Sequence, residues 1–351
     1  MRRAFAKAAA TLRCGRAIVA VCAAVAATGA FAAPTSPALT LKDNLYGVKF
    51  VDSQQGWVVG AFGTIAHTTD GGMTWQPQSS KTTQQLYDID FVDARNGWAV
   101  GRSATILHTA DGGAAWEAQN PGVDKHLFSV DFADNQVGVA VGDWGTILVT
   151  TDGGQHWENR SLPDDLNLYD VVMIDKTHGW IAGELGSVLT TADGGQTWTK
   201  QDTGVEKTLF GLYFADAQHG WAVGIDALIL RTIDGGQSWQ VQNGATEIRA
   251  LEQVGFGQAY DNPSLYAVAV VGTKGIAVGE IGAIYVSTDG GETWKRQDSS
   301  NKESGPKWFR AVSLTTGASG AVVGAAGAQV RIVDGRVEDS DGGPRAAKAV
   351  H

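Results

Sequence analysis

The chain has 351 residues, with 27 basic against 37 acidic residues and a formal net charge of −10. An acidic balance of this size argues against general binding to nucleic acid or to an anionic lipid surface. The two cysteines, Cys14 and Cys22, both lie near the N-terminus. The rest of the chain must therefore fold without disulfide bonds, which a core of roughly 300 residues can support.

Residues 1–32 have the pattern of a secretory signal peptide. A basic region precedes an apolar, alanine-rich run from Ala17 to Ala27, and Ala30-Phe31-Ala32 offers a small-x-small cleavage site. Removal of this segment leaves 22 basic and 37 acidic residues, a net charge of about −15. No later segment approaches the ~20 apolar residues of a membrane-spanning helix. We therefore predict an exported chain that begins at Ala33 and has no transmembrane segment.

The remainder is an internal repeat. A glycine that opens a GWxVG-like segment recurs with a spacing of 41 residues four times, then 55 and then 45. An aspartate follows each of these glycines by fourteen residues. Seven units are therefore present, and the sixth contains an insertion. The seven glycines are Gly56, Gly97, Gly138, Gly179, Gly220, Gly275 and Gly320.

Each unit has the pattern of four short strands. In the second unit, LYDIDFVD alternates as a strand does, and GWAVG, ATILHTA and the segment from Trp116 follow after turns. Four strands in each of seven units predict an all-β, seven-bladed β-propeller over residues 33–337. The predicted blades lie near residues 45–78, 86–119, 127–160, 168–201, 209–242, 248–297 and 308–337, and residues 338–351 form a polar tail that we predict to be disordered.

The turn before the fourth strand contains Asp-Gly-Gly and resembles the Asp-box. An aspartate in a turn can accept hydrogen bonds from following backbone N–H groups, and the glycines permit positive φ. Equivalent aspartates spread around a ring cannot converge on one catalytic centre. We therefore assign a structural role to Asp70, Asp111, Asp152, Asp193, Asp234 and Asp289, and no catalytic residue among them.

The sequence pattern leaves open how the ring closes and how the sixth unit aligns with the others. The seventh unit has Val337 where the others have tryptophan, and the N-terminal candidate for a closing strand, PTSPALTLK, contains two prolines. How the ring closes is therefore undecided. In the sixth unit, LYAV (residues 265–268) fits the first strand with a shift of one residue. That fit places Arg249 in an inserted loop.

Candidate binding residues break the repeat on one face. The start of each first strand and the turn between the second and third strands lie on the face opposite the Asp-Gly-Gly turns, so this channel-mouth face is where function is expected. Most first strands begin with an aromatic residue, Tyr46 being the first, whereas the seventh has Arg310. The alternative is that these residues only pack the channel mouth and solvate its rim. The candidate partner-binding residues are Arg102, Asp143, Glu184, Arg249, Glu280 and Arg310. We expect no cofactor, because no cluster has metal-ligand spacing and no glycine-rich loop leads into a helix.

The full unit, LYxVxFxDxxxGWAVGxxGTIxxTTDGGxTW, resembles the photosystem II stability/assembly factor family from about Leu45 to Val337. The resemblance implies a non-enzymatic, seven-bladed Asp-box propeller of the thylakoid lumen or the periplasm. It also implies binding to membrane-protein subunits through an arginine-rich patch. Arg310 in WFRAV matches that patch best, and Arg249 in EIRAL is second.

The resulting hypothesis is a monomeric, exported scaffold that binds a photosystem-type complex or a transporter. The N-terminal segment is typical of a Gram-negative export signal, which favours the periplasm. Two alternatives belong to other classes. One is a glycoside hydrolase, which would need two convergent carboxylates such as those of Asp143, Glu184 or Glu280. The other is a lectin-like module that binds carbohydrate without catalysis.

Overall fold

The computed structural model describes residues 41–244, 262–297 and 308–338. These residues form seven four-stranded antiparallel sheets, each built from four consecutive strands. The first strand of each sheet packs against the first strand of the next, and the seventh packs against the first. This arrangement confirms the predicted seven-bladed β-propeller. The predicted signal peptide, residues 33–40 with most of the candidate closing strand, residues 339–351 of the predicted tail and Arg249 lie outside the described residues.

The strands occupy equivalent positions in the seven blades. The inner strands are β1 Leu45–Phe50, β5 Leu86–Phe91, β9 Leu127–Phe132, β13 Leu168–Met173, β17 Leu209–Phe214, β21 Leu265–Val271 and β25 Phe309–Leu314. The second strands are β2 Gly56–Gly60, β6 Gly97–Gly101, β10 Gly138–Gly142, β14 Gly179–Gly183, β18 Gly220–Gly224, β22 Lys274–Gly279 and β26 Gly320–Gly324. The third strands are β3 Ile65–Thr68, β7 Ile106–Thr109, β11 Ile147–Thr150, β15 Val188–Thr191, β19 Ile229–Thr232, β23 Ile284–Ser287 and β27 Gln329–Val333. The outer strands are β4 Gln76–Gln78, β8 Glu117–Ala118, β12 Glu158–Asn159, β16 Thr199–Gln201, β20 Gln240–Asn243, β24 Lys295–Arg296 and β28 Arg336–Val337. Short 3-10 turns cover Ala61–Gly63, Ile225–Ala227, Glu280–Gly282 and Ala325–Gly327.

The hydrophobic core lies between the blades. The GWxVG-like second strands are buried along their whole length, because each is covered on both faces by a neighbouring blade. One cluster illustrates the packing: Trp57 of blade 1 stacks on Phe91 of blade 2 at 3.7 Å, and Phe91 meets Trp116 edge to face. The indole N–H of Trp57 also donates to the carbonyl of Gly112 in the next blade. Apolar burial and a hydrogen bond thus join adjacent blades.

The Asp-Gly-Gly turns are held by a hydroxyl and a carboxylate together. In blade 3, Thr150 Oγ1 donates to Asp152 Oδ1 at 2.9 Å and accepts the N–H of Gly154 at 2.8 Å. Asp152 Oδ1 also accepts the N–H of His156 at 2.9 Å. The buried Thr or Ser two residues before each aspartate repeats this arrangement in six blades, and our sequence analysis did not assign it a role. These residues are Thr68, Thr109, Thr150, Thr191, Thr232 and Ser287.

Replacement of Asp152 by alanine is expected to lower the free energy of unfolding by about 1–2 kcal/mol, because the hydrogen bonds to an ionised acceptor are lost. Asp152→Asn keeps one oxygen for the N–H of His156 and is expected to lose less. Burial raises the pKa of Asp152, but the hydrogen bonds from His156 outweigh burial and hold that pKa below its usual value. The deficit of the alanine variant should therefore be complete above pH ~4 and shrink as the pH falls. Urea denaturation at pH 7 and pH 3 measures both effects, and equal losses in the two variants would contradict this role.

The ring closes by packing between blades 1 and 7. Blade 7 takes all four of its strands from residues 309–337, so it needs no strand from the N-terminus. Leu41, Phe50 and Val323 belong to one buried cluster across this junction. The N–H of Phe50 donates to Ser313 Oγ at 2.9 Å, and Arg331 Nε donates to the carbonyl of Gly71 at 3.0 Å. These contacts answer the question of closure that the sequence left open.

Candidate functional site at the channel mouth

A β-bulge near the start of every inner strand turns one side chain out of the ladder. In blade 1, Leu45 pairs with Gly60 and Gly47 pairs with Val59, so Tyr46 lies unpaired between them. The same residue is skipped in each of the seven blades. Because a bulge redirects its side chain, these residues line the central channel together. They are Tyr46, Tyr87, Phe128, Tyr169, Phe210, Tyr266 and Arg310.

Six of the bulged residues form a continuous series of ring contacts, which we call the aromatic girdle. Ring centroids of successive members lie 5.1–5.9 Å apart. The sixth member is Tyr266, one residue later than the usual offset from the marker glycine predicts. The offset is shorter here because β21 and β22 are joined by a tight hairpin in which Val271 pairs with Lys274. The girdle is the series Tyr46, Tyr87, Phe128, Tyr169, Phe210 and Tyr266.

Arg310 occupies the seventh position and interrupts the girdle. Its guanidinium lies 4.7 Å from the ring centroid of Tyr266, within the range of a cation–π interaction. Trp308, two residues before Arg310, stacks on Tyr46 of blade 1 with the centroids 5.9 Å apart. Burial lowers the pKa of Arg310, while the neighbouring Tyr266 and Asp170 act to raise it. A partly desolvated guanidinium packed on an aromatic ring is suited to bind a carboxylate or a carbonyl group.

The turns between second and third strands form a rim beside the girdle. In each blade, the residue after the second strand donates its N–H to the carbonyl of the residue that precedes the inner strand, at 2.9–3.2 Å. Arg102, Asp143, Glu184 and Glu280 all occupy this position. The rim donors and acceptors are Ala61 and Asn44, Arg102 and Gln85, Asp143 and His126, Glu184 and Asn167, Ile225 and Thr208, Glu280 and Ser264, and Ala325 and Trp308.

Two of the predicted carboxylates anchor girdle tyrosines. Glu184 accepts hydrogen bonds from the N–H of Asn167 at 3.1 Å and from the hydroxyl of Tyr169 at 3.2 Å. Glu280 accepts the hydroxyl of Tyr266 at 2.9 Å, and it also accepts an N–H from its own blade. Burial and the bond to Glu280 raise the pKa of Tyr266 to about 12. Asp143 accepts a longer bond, 3.3 Å, from the N–H of His126. Glu184 and Glu280 therefore hold the girdle in place.

The described cations of this face are dispersed. Arg102 is exposed on the rim of blade 2, whereas Arg310 lies inside the channel mouth in blade 7. Blade 1 separates them, so the structure does not bring these two predicted residues into one patch. Of these two predicted arginines, Arg310 is the one that lines the channel and packs on an aromatic ring.

Below the girdle, the channel contains an ion-pair network that the sequence analysis missed. Lys49 Nζ of blade 1 lies 2.6 Å from Asp90 Oδ1 of blade 2 and 3.9 Å from Asp131 Oδ1 of blade 3. Burial acts to lower the pKa of Lys49, but the charges of Asp90 and Asp131 outweigh it and raise that pKa. Burial and the charge of Asp90 raise the pKa of Asp131 well above its usual value. The sequence indicates this network in β5, where Asp88 and Asp90 occupy alternate positions of a strand whose other residues are apolar or aromatic.

Channel carboxylates also link successive inner strands. Asp90 accepts the N–H of Phe132 at 3.0 Å, and Asp170 accepts the N–H of Leu212 at 2.7 Å. Each bond runs from one blade to the next, and it satisfies a backbone donor on the open edge of the inner strand, which is the edge strand of its sheet. Burial, reinforced by the charge of Asp88, raises the pKa of Asp170 to about 7. We infer that these carboxylates stabilise the ring.

The channel cavity has a volume of about 240 Å³, below the usual range for small-molecule sites. Within residues 41–244, 262–297 and 308–338, no group of three or more His, Cys, Asp or Glu side chains is arranged to hold a metal ion. The same part of the chain has no helix long and apolar enough to cross a membrane.

Comparison with known proteins identifies the family. The family model described as photosynthesis system II assembly factor YCF48 matches residues 32–118, 120–202 and 197–305. The chain belongs to this family. The match confirms the resemblance seen in the repeated unit. No curated protein matches the chain.

Solved structures show the same fold as this YCF48-family chain. A structure of YCF48 bound to a D1 peptide is 21% identical with a TM-score of 0.67, and the match covers 84% of this chain and 93% of that one. YCF48 from Cyanidioschyzon merolae is 19% identical with a TM-score of 0.65, covering 84% and 97%. A GH74 xyloglucanase from Xanthomonas campestris is 13% identical with a TM-score of 0.62, covering 86% of this chain and 52% of the enzyme. At these identities the likeness shows the fold alone.

Proposed function

We propose that this chain is a non-enzymatic, exported scaffold that binds a protein partner through the channel-mouth face. The family supports the proposal, and a YCF48 structure holds a D1 peptide. The observation that carries it is Arg310, a half-buried guanidinium packed on Tyr266 within an otherwise aromatic girdle. The residues that contribute most of the binding energy of protein interfaces are enriched in Trp, Tyr and Arg, and they cluster in well-packed, desolvated positions.

The partner that we propose is a segment of a membrane-protein complex, either photosystem-type or a transporter. Export by the N-terminal signal would place the chain in the periplasm, or in the thylakoid lumen of a photosynthetic host, where such segments are accessible. A carboxylate or a backbone carbonyl of the partner would bind to Arg310. Apolar side chains of the partner would cover the neighbouring rings. We propose that the scaffold acts as a monomer.

A glycosidase or lectin-like function is the alternative, and the GH74 fold likeness gives it one argument. Its carboxylates would be Glu184 and Glu280, yet both accept hydrogen bonds from their own blade. Hydrolysis of aryl glycosides by the wild type, abolished in Glu184→Gln or Glu280→Gln, would replace the scaffold proposal with an enzyme.

Arg310→Gln is expected to lower the capture of a membrane protein at least about tenfold, because the variant loses a charged donor at the centre of the site. The measurement is an in-cell crosslink of the tagged protein, followed by purification from membrane extracts and quantification of the captured protein. Arg336→Gln is the matched control, since Arg336 is an exposed arginine on the outer strand of the same blade. It should capture as much as the wild type.

The outcomes separate the parts of the proposal. Equal capture by Arg310→Gln and the wild type, at equal melting temperature, would remove Arg310 from the site but keep the scaffold. No capture of any membrane protein by the wild type would overturn the scaffold function.

A further inference from the structure

The rim holds large apolar side chains at turn positions that disfavour them. Trp144 and Leu185 are 58% and 60% exposed, and they have φ values of 57° and 53°. Each is followed by a glycine that also has positive φ. Each residue therefore forms, with its own glycine, a tight turn of the kind that prefers Asn-Gly or Asp-Gly. In blade 5, the equivalent turn position holds Asp226, a residue that this turn favours, with φ 60°. A bulky residue with positive φ is an outlier, and such outliers cluster at binding sites.

The two apolar residues belong to one continuous surface. The N–H of Trp144 donates to Asn167 Oδ1 at 3.2 Å, and Asn167 Nδ2 donates to Glu184 Oε1 at 3.1 Å, next to Leu185. The loop between blades 3 and 4 packs onto the first turn, since Gly145 donates to the carbonyl of Leu166. We name this surface the Trp144–Leu185 sector. It comprises residues 143–145, 162–167, 184–186 and 202–206, and the last segment adjoins the turn of Leu185 because Thr203 Oγ1 donates to the carbonyl of Gly186 at 2.8 Å.

The sector is strongly acidic. Its carboxylates are Asp143, Asp164, Asp165, Glu184, Asp202 and Glu206, and none of its residues is basic. Lys207 at its border is fully buried and paired with Asp226 at 2.6 Å. Lys125, at the other border, lies 5.2 Å from the ring centroid of Trp144. Exposed apolar groups surrounded by carboxylates complement a ligand that is both apolar and basic, and they repel an anionic lipid surface.

We propose that the Trp144–Leu185 sector is a docking surface for an extended segment of a partner protein that carries apolar and basic side chains. The apolar side chains of the segment would pack on Trp144 and Leu185, and its Lys or Arg side chains would pair with the surrounding carboxylates. This proposal rests on the proposed function, because it specifies the chemistry of a second contact with the same partner. Arg310 selects an acceptor group at the channel mouth, whereas the sector selects positive charge on the rim.

The test uses three labelled 12-residue peptides and fluorescence anisotropy. The first repeats Phe-Lys-Leu-Arg, the second replaces the basic residues by Glu, and the third replaces the apolar residues by Ser. The wild type is expected to bind the first peptide at least about tenfold more tightly than the others, and added salt should weaken that binding.

The decisive variant is the double substitution Trp144→Asn/Leu185→Asn. Asparagine tolerates positive φ better than Trp or Leu, so the variant should keep or raise the melting temperature. It is nevertheless expected to lose at least about tenfold in affinity for the basic apolar peptide. Phe62→Asn is the matched control, because Phe62 is 74% exposed with φ 55° at the same turn position of blade 1, outside the sector. Its affinity should stay within about twofold of the wild type.

Unchanged peptide affinity in the double variant, or equal binding of the acidic peptide, would overturn the inference. Its failure is distinguishable from that of the proposed function. If the double variant still captures a membrane protein and shows no peptide defect, only the sector is wrong. If the wild type captures no membrane protein, the scaffold function is wrong whatever the peptides show.

Discussion

Trp98→Ala is expected to lower the free energy of unfolding by about 3–5 kcal/mol, the usual loss for removing a fully buried tryptophan. Trp98 is completely buried between blades 2 and 3, where its ring stacks 3.6 Å from Phe132. Its indole N–H donates to the carbonyl of Gly153 at 3.2 Å, in the Asp-Gly-Gly turn of the next blade. The substitution therefore opens a cavity and removes one of the bonds that join two blades. Guanidinium denaturation of both proteins at pH 7 measures the loss.

Two further variants separate the contributions at this site. Trp98→Phe keeps most of the ring volume and removes the hydrogen bond, and Gly153 still accepts a bond from Gln119 at 2.9 Å. This variant should lose about 1 kcal/mol. Trp144→Asn, at an exposed site, should change stability by no more than about 0.5 kcal/mol. A loss below about 1 kcal/mol for Trp98→Ala would show that the blades are not held together through this tryptophan.

Lys49→Met is expected to lower the free energy of unfolding by about 2–3 kcal/mol at pH 8. Removing one partner of a buried ion pair leaves the other charge uncompensated, which costs about 3–5 kcal/mol when both are fully buried. Lys49 keeps 35% of its side-chain exposure, so we take a smaller value. Asp90 and Asp131 would remain as neighbouring carboxylates without the cation between them.

The pH dependence of this variant tests the cause. The raised pKa of Lys49 means that its contribution is complete below pH ~10.5 and is lost only above it, so Lys49 stays charged in the wild type at both pH 5 and pH 8. Burial and the charge of Asp90 raise the pKa of Asp131 above its value in the unfolded chain, and the loss of Lys49 removes a cation that opposes this rise. The penalty for ionising Asp131 is absent at low pH and grows as the pH rises through that pKa. The deficit of Lys49→Met should therefore be smaller at pH 5 than at pH 8.

A second substitution serves as the control for charge. Asp90→Asn removes the charge and keeps an oxygen for the N–H of Phe132. Combined with Lys49→Met, it should recover part of the stability at pH 8. A deficit that is equal at both pH values and is not relieved by Asp90→Asn would show that Lys49 contributes by packing alone.

Part of the candidate site was predictable from the repeat spacing of the sequence. The marker spacing predicted that Tyr46 and its equivalents begin the inner strands, and it singled out Arg310 as the residue that differs. The sixth unit fitted the spacing only with a shift of one residue, and the structure gives the reason, because the short hairpin between Val271 and Lys274 changes the offset. The pattern placed Glu184 and Glu280 among the candidate partner-binding residues, but it did not indicate that both accept hydrogen bonds from tyrosines of the girdle. A side chain's partner depends on the bulge, which hydrophobic periodicity does not reveal.

The sequence by itself determined the number of blades, their four strands and the family. These properties are local, because each blade pairs only consecutive strands and its turns carry their own Asp-Gly-Gly chemistry. Only the tertiary structure decided how the ring closes, which side chains meet in the channel and what surrounds Arg310. Lys49, Asp90 and Asp131 come from three blades, about 41 residues apart in succession. Contacts across such separations depend on the curvature of the closed ring and on the direction of each bulged side chain. The sequence of a single repeat determines neither of these.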